Sequence, residues 1–355
     1  MVGTGLIGTS IGLALHGERR VLLTDVDPAR VQQAADRGAG TAWDGAETVD
    51  CAVVAVPPAR TAAVLADLYA GAAAAVLTHV ASCQARVQAE LEDLGIDGSG
   101  ICGGHPLAGR EVTGPGAATS ELFAGRPWVV CPSPATSQPA RSVVLELAAA
   151  CGAQPLTMSA VQHDRAVALS SHLPQVAASA LAARLLDGDE AAPSVSGPGL
   201  HDSTRIAASN PDLWVDILAT NAGQVAPLAA ALAADLQDAA AALARLAVEP
   251  ADAQATAAVR RLLVRGNAGR ARVPVKRDVL DGDVGVVAVR IPDQPGALVE
   301  VLARAAGAGV NVEDIRLEHL PGRPTGVVEL LVQFGQQAGL VEALTGAGLE
   351  VLGRT

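Results

Sequence analysis

GTGLIG at residues 3–8 runs on as TSIGLAL to residue 15, and VLLTD follows at residues 21–25. The spacing of Gly3, Gly5 and Gly8 is that of a strand-to-helix turn built around a pyrophosphate. Gly3 permits the tight turn, Gly5 lets backbone approach the phosphates, and Gly8 lets the helix pack closely on the strand. Leu6 and Ile7 carry the loop into that helix, whose free N–H groups and dipole favour an anion. Asp25 closes the next apolar run, where a carboxylate accepts both ribose hydroxyls and repels a 2′-phosphate. The reading is a Rossmann-like α/β domain that takes NAD rather than NADP, with Arg30 the nearby cation that argues the other way. Only Met1 and Val2 precede the loop, whereas a central strand needs about five residues, so the sequence reads as starting inside its first strand.

Working outward, residues 1–153 alternate short apolar runs with helical patterns, as a parallel sheet covered by helices requires. Val21–Thr24, Cys51–Val56, Ala75–His79, Ile101–Gly103 and Trp128–Cys131 are the predicted strands. Pro57 and Pro58 stop the second of these abruptly. Residues 154–262 turn to alanine- and leucine-rich helical segments, among them Gln224–Leu246, with too few polar positions for solvated helices. These must pack on one another, and a second subunit is the expected cover for the surplus, so a homodimer is predicted. Ser209-Asn210-Pro211-Asp212 is a helix start, with a capping side chain, proline in the first turn and an acid at the positive end of the dipole.

Arg260, Arg261, Arg265, Arg270, Arg272, Lys276 and Arg277 fall within residues 260–277 beside glycine and proline, and 263–283 reads as a solvated basic linker. Beyond it, Val284–Ile291, Asn311–Glu318 and Gly326–Gln333 read as strands, Pro295–Gly307 and Gly339–Ala347 as helices, and Glu350–Leu352 as a further strand. That is a small α+β unit, residues 284–355, able to bury its own core.

Composition narrows the function classes. The 355 residues are half apolar and carry a net charge of −12, a field that repels nucleic acid. No run of about 18 consecutive apolar residues is present, and the N-terminus lacks the basic and apolar regions of a signal peptide, so a cytoplasmic protein without a membrane partner is expected. The five cysteines, Cys51, Cys83, Cys102, Cys131 and Cys151, show no CxxC spacing, which argues against a metal site and a disulfide framework. Lys276 is the only lysine, far from any glycine-rich loop, which removes P-loop phosphoryl transfer and Schiff-base chemistry.

Three polar residues stand at the edges of apolar stretches: Ser82, His105 in GGHPLAG, and Arg205 in HDSTRIAAS. Singly they read as a turn serine, a loop histidine and a surface arginine. Together with GTGLIGTSIGLAL (3–15), GGHPLAGREVTG (103–114), SHLPQ (171–175) and HDSTRIAASNPDLWVDI (201–217), in that order, the chain resembles the prephenate and arogenate dehydrogenase family along almost its whole length. The resemblance implies that the middle helical region supplies the substrate pocket and the dimer interface. It implies that His105 is the base toward the ring hydroxyl, that Ser82 orients it and the nicotinamide, and that Arg205 holds a substrate carboxylate. It also turns His172 toward the pocket, with Gln175 three residues on and on the same face if the helix continues. The expected reaction is oxidative decarboxylation of prephenate to 4-hydroxyphenylpyruvate with NAD, on the route to tyrosine.

Two departures bear on that expectation. Relatives often read Asp-Val-Gly-Ser-Val-Lys where this chain has His79-Val80-Ala81-Ser82-Cys83-Gln84, losing an acid and a base but keeping the serine. Gln175 replaces a histidine common in prephenate-preferring members, and a neutral amide tolerates either the keto group of prephenate or the ammonium of arogenate, the alternative substrate. Residues 293–315, DQPGALVEVLARAAGAGVNVEDI, resemble the opening of an ACT domain. There Gly296 would admit a ligand backbone and Asn311 would offer an amide to an amino-acid effector such as tyrosine; the plainer reading is a dimerisation module. A hydroxyacid dehydrogenase of the lysine-dependent type lacks its lysine here, and a catalytically inactive NAD or amino-acid sensor is the rival from another class.

Overall fold

A computed structural model describes residues 1–109, 112–188, 191–273, 284–319 and 324–354. Arg110 and Glu111 of the GGHPLAGREVTG stretch, and Lys276 and Arg277 of the basic run, lie outside the described residues. The chain forms two compact units, Met1–Leu236 and Gln237–Thr355.

In the first unit the loop after Val2 leads into helix α1 (Leu6–Ala14), followed by β1 (Leu22–Leu23), α2 (Pro28–Asp36), β2 (Thr41–Ala42), β3 (Val49–Val54), α3 (Thr61–Ala70), β4 (Ala74–His79), α4 (Ala85–Asp93) and β5 (Ile101–Pro106). Next come β6 (Pro127–Cys131), α5 (Gln138–Ala150) and β7 (Gln154–Thr157). β3 to β7 lie side by side in chain order, and β1 pairs with β2. Val2 bridges the two groups, pairing in parallel with Thr24 on one side and Val54 on the other. Its N–H donates to Val53 O at 2.8 Å and its carbonyl accepts from Ala55 N at 2.7 Å. The result is one doubly wound sheet whose strand order reverses at Val2, directly beneath the glycine loop. That is the place where a parallel α/β sheet opens its binding crevice.

All of the predicted strands form. Two features depart from the simple pattern. β6 runs antiparallel to β5, because the described residues between them carry only short 3-10 turns and no crossover helix to return the chain to the other edge. β7 was not predicted; Pro155 lies in it and is tolerated because β7 is the sheet's edge. The core between sheet and helices holds Ile11, Phe123, Trp128, Val130 and Val144, each wholly or almost wholly buried.

The helical region of this unit begins with α6 (Ala160–Val167), a π turn at Ala168–His172, and α7 (Leu173–Ala183). Ser159 and Gln162 close α6 with a reciprocal capping box. Pro174 has no N–H to give and its ring crowds the preceding turn; the wider π turn just before it relieves both problems. This combined helix has the length and mean hydropathy of a membrane span, and one face of it buries His163, Asp164, His172 and Gln175 within the unit. α8 (Pro198–Thr204), α9 (Pro211–Thr220) and the long α10 (Ala222–Val248) follow. Asn210 caps α9 as predicted, its Oδ1 accepting from Asp212 N at 2.9 Å.

The boundary between the units falls inside α10, at 236/237, earlier than the predicted end of the helical region at residue 262. The predicted linker also begins later than expected. α11 (Ala253–Arg270) carries Arg260, Arg261, Arg265 and Arg270 in regular helix, started by the Asp252 side chain accepting from Ala255 N. Alanine-rich propensity outweighs Gly266 and Gly269 there.

The second unit ends in β8 (Val284–Pro292), α12 (Ala297–Gly307), β9 (Val312–His319), β10 (Thr325–Gln333), α13 (Gln337–Gly346) and β11 (Glu350–Arg354). The antiparallel sheet has the order β11-β8-β10-β9, the ferredoxin-like βαββαβ arrangement. Val287, Val289 and Ile291 of β8 and Val328, Leu330 and Val332 of β10 alternate inward against Val301, Leu340 and Leu344 of the helices.

Candidate active site

The glycine loop is built as the spacing requires. Gly3 has φ +95°, and a Cβ on it would stand 2.4 Å from Ala55 O. A Cβ on Gly8 would stand 2.0 Å from Gly3 O, so helix and loop touch through backbone. Gly5, at the start of α1, has nothing within 4 Å of its Cβ position, and no side chain caps the helix. Its N–H groups are thus open to an anion. Asp25 sits at the rim, its Oδ2 accepting from Thr4 N at 2.7 Å and Thr4 Oγ1 at 3.1 Å, and its Oδ1 from Asp27 N at 3.0 Å. The loop therefore fixes the carboxylate whose remaining lone pairs would meet a ribose. Arg30, the cation that would favour a 2′-phosphate, leans instead on Asp27 at 3.5 Å.

His105 lies at the carboxyl end of β5. Its Nδ1 is 2.8 Å from His163 Nε2, and the two rings meet edge to face at 5.0 Å between centroids. His163 Nδ1 in turn lies 2.7 Å from Asp164 Oδ1. Asp164 accepts from two backbone groups at the start of α4, Gln84 N at 2.8 Å on Oδ1 and Ala85 N at 2.9 Å on Oδ2. Burial, then the neighbouring imidazoles of His163, His172 and His79, hold His105 well below the usual histidine range. It is neutral at pH 7, as a proton acceptor must be.

His172 closes the π turn, fully buried, with its ring edge-on to Trp214. Asn221 Nδ2 lies 2.8 Å from the main-chain carbonyl of Asp164 and 3.1 Å from His172 Nδ1, so His105 and His172 belong to one hydrogen-bonded network. Burial lowers the His172 pKa as well. Gln175 is buried on the same helix face, and its amide touches two hydroxyls, Ser179 Oγ and Ser209 Oγ, both at 3.5 Å. Ser209 belongs to the turn that follows Arg205, which is exposed at the junction of α8 and a 3-10 turn.

Ser82 lies in the bend between β4 and α4. Its Oγ is buried without a hydrogen-bond partner of ordinary geometry; the adjacent Cys83 thiol is a weak partner. The group that orients His105 at Nδ1 is thus His163, a task the sequence reading gave to Ser82. Gln84 pins the same bend to β5 through Ala81 O at 2.6 Å and Gly104 O at 3.0 Å. Next to it His79 is buried and pushed down to about 4, chiefly by burial. The acid and base absent at positions 79 and 84 are therefore replaced by two neutral polar groups.

His163, Asp164, Asn221 and Trp214 escaped the sequence reading. The available signal was the His163-Asp164 pair one turn inside a capped, amphipathic helix, where buried polar residues need partners.

Residues 11–156 match the nucleotide-binding domain of prephenate dehydrogenase, and residues 159–253 its dimerization domain. A probable prephenate dehydrogenase of Streptomyces niveus, NovF, is 38% identical over 339 residues, covering 94% of this chain and 93% of that one. The chain belongs to the prephenate dehydrogenase family. Its members are NAD-linked oxidoreductases, and the glycine loop and Asp25 described above fit that cofactor. The fold agrees with the crystal structure of prephenate dehydrogenase from Aquifex aeolicus in complex with hydroxyphenyl propionate and NAD+. That match has a TM-score of 0.66 at 23% identity over 77% of this chain and 96% of the other. Arogenate dehydrogenase from Synechocystis shares the fold at a TM-score of 0.60, 23% identity, 77% of this chain and 98% of its own.

Proposed function

We propose that the protein oxidises and decarboxylates prephenate to 4-hydroxyphenylpyruvate with NAD, as a cytoplasmic homodimer in tyrosine biosynthesis. The observation that carries this reading is His105: neutral, at the carboxyl edge of the sheet that bears the glycine loop, and supported from behind at Nδ1. His105 takes the ring hydroxyl proton; NAD held by the glycine loop and Asp25 would supply the hydride acceptor. Loss of carbon dioxide follows because it yields an aromatic phenol. Arg205 pairs with a substrate carboxylate through its planar fork. The Ser82 hydroxyl, with only the weak Cys83 thiol beside it, favours a role at the nicotinamide or the substrate, since a poorly satisfied buried hydroxyl gains from a full partner.

Arogenate is the second reading, favoured by the uncharged set Gln175, Ser179 and Ser209, which does not select between a keto group and an ammonium. In the second unit, Gly296 at φ +92° with open space at its Cβ position, and the exposed Asn311 just before β9, are the residues that would serve an ACT-like effector site for an amino acid such as tyrosine.

The test follows NADH formation by purified protein offered prephenate and arogenate separately with NAD. Turnover of one or both supports the reaction and ranks the substrates. Absence of turnover with NAD still binding would replace this reading by the sensor.

A further inference from the structure

We infer that Asp164 sets the tautomers of both pocket histidines at once, through His163 for His105 and through Asn221 for His172, leaving one imidazole as acceptor and the other as donor. The inference rests on His105 being the base, but the tautomers can be measured without turnover.

The first arm runs through the Asp164 side chain. Its two oxygens each accept a backbone N–H from the start of α4, so toward His163 Nδ1, 2.7 Å away, the carboxylate is again the acceptor and Nδ1 the donor. A neutral His163 then has its lone pair on Nε2. That lone pair accepts from His105 Nδ1–H at 2.8 Å, which leaves the His105 Nε2 lone pair free for a proton. The second arm runs through the main chain. The Asp164 carbonyl accepts only, so the Asn221 atom at 2.8 Å from it is the amide nitrogen. The same nitrogen donates to His172 Nδ1 at 3.1 Å, which makes that atom an acceptor and places the His172 proton on Nε2.

The consequence for chemistry is a complementary pair. His105 Nε2 receives the substrate hydroxyl proton, while His172 Nε2–H donates to a substrate oxygen. When the hydroxyl proton moves to His105 Nε2, the imidazolium is stabilised through Nδ1–H by His163 and, behind it, by the Asp164 carboxylate. No covalent bond to His163, Asp164 or Asn221 is involved; they are positioning residues. Their burial would be costly if they served packing alone, since apolar side chains fill a core without desolvating polar groups.

The experiment is nitrogen NMR of full-length protein carrying ring-labelled histidine, whose seven imidazoles are assigned by single substitution. The expected spectrum has His105 protonated at Nδ1 and His172 at Nε2. The reverse state at either ring overturns the inference, and no variant is needed for that reading. His163→Leu should release the His105 tautomer and lower kcat on the order of 10²- to 10⁴-fold, as mis-set tautomers do elsewhere, with the Kd for NAD unchanged. Asn221→Leu should release His172 and raise the substrate KM about tenfold or more with a smaller effect on kcat. Unaltered tautomers and kinetics in folded, NAD-binding variants would also overturn it. If His105→Asn retained activity while the wild-type tautomers were as expected, the base assignment would fail and the tautomer assignment would stand.

Discussion

At the scale of the residue, the proposed site would depend on imidazoles kept neutral and on the exposed Arg205. His105→Asn removes the acceptor and should lower kcat by about 10²–10⁴-fold while NAD binding, followed by fluorescence titration, stays within error. Retained turnover would remove His105 from the role of base. Arg205→Leu should lower kcat/KM for prephenate roughly 10- to 100-fold, the worth of a charge-assisted contact, mostly through KM; an unchanged KM would show that another group holds the carboxylate. His105, Ser82 and Arg205 were legible because each stands in a distinctive local stretch. His163, Asp164 and Asn221 were not, because their meaning lies in hydrogen bonds that join α6, the end of α9, β5 and the start of α4, elements far apart in the chain.

At the scale of the element, the loop from Gly3 to Gly8 separates space for the fold from space for a ligand. Gly8→Ala drives a methyl into Gly3 O and should cost both stability and NAD affinity. Gly5→Ala meets nothing in the protein, so the melting temperature should hold while the Kd for NAD rises at least about tenfold, or 1.4 kcal/mol. Equal affinity in that variant would place the pyrophosphate elsewhere. The six glycine-loop residues and Asp25 could be read directly, since the turn demands those residue types. The C-terminal strands were equally plain from their alternation, Val287, Val289 and Ile291 facing inward. β7 was hidden by Pro155, which only its edge position excuses, and α11 by arginines and glycines that resemble a linker. The π turn at Ala168–His172 was beyond sequence reading. At about 100° per residue, a continuous α-helix would set His172 roughly 80° away from Asp164, and the wider turn retards that rotation so that Asn221 reaches both.

At the scale of the molecule, the buried imidazoles make stability depend on pH. His79, His105 and His172 all have folded pKa values below the unfolded value of 6.5, with burial the leading cause. The unfolded chain therefore binds more protons than the folded one below pH 6.5, and stability present above that pH is lost as it falls toward the folded values. For His79, depressed to about 4, the loss amounts to about 3 kcal/mol. Urea midpoints should decline from pH 6.5 to pH 4, and His79→Leu should flatten the decline; an identical slope in the variant would assign the acid sensitivity to other groups.

The cysteines carry a further consequence at this scale. All five lie in Met1–Leu236 and none in Gln237–Thr355, and burial raises Cys51 to about 11 and the other four to about 12. The four buried thiols, Cys83, Cys102, Cys131 and Cys151, react with an alkylating reagent only when their surroundings open. The native protein thus contains its own clock for the dinucleotide-binding unit: pulse labelling should run at the opening rate of that unit, slow when NAD is added, and stay blind to whatever the C-terminal sheet does.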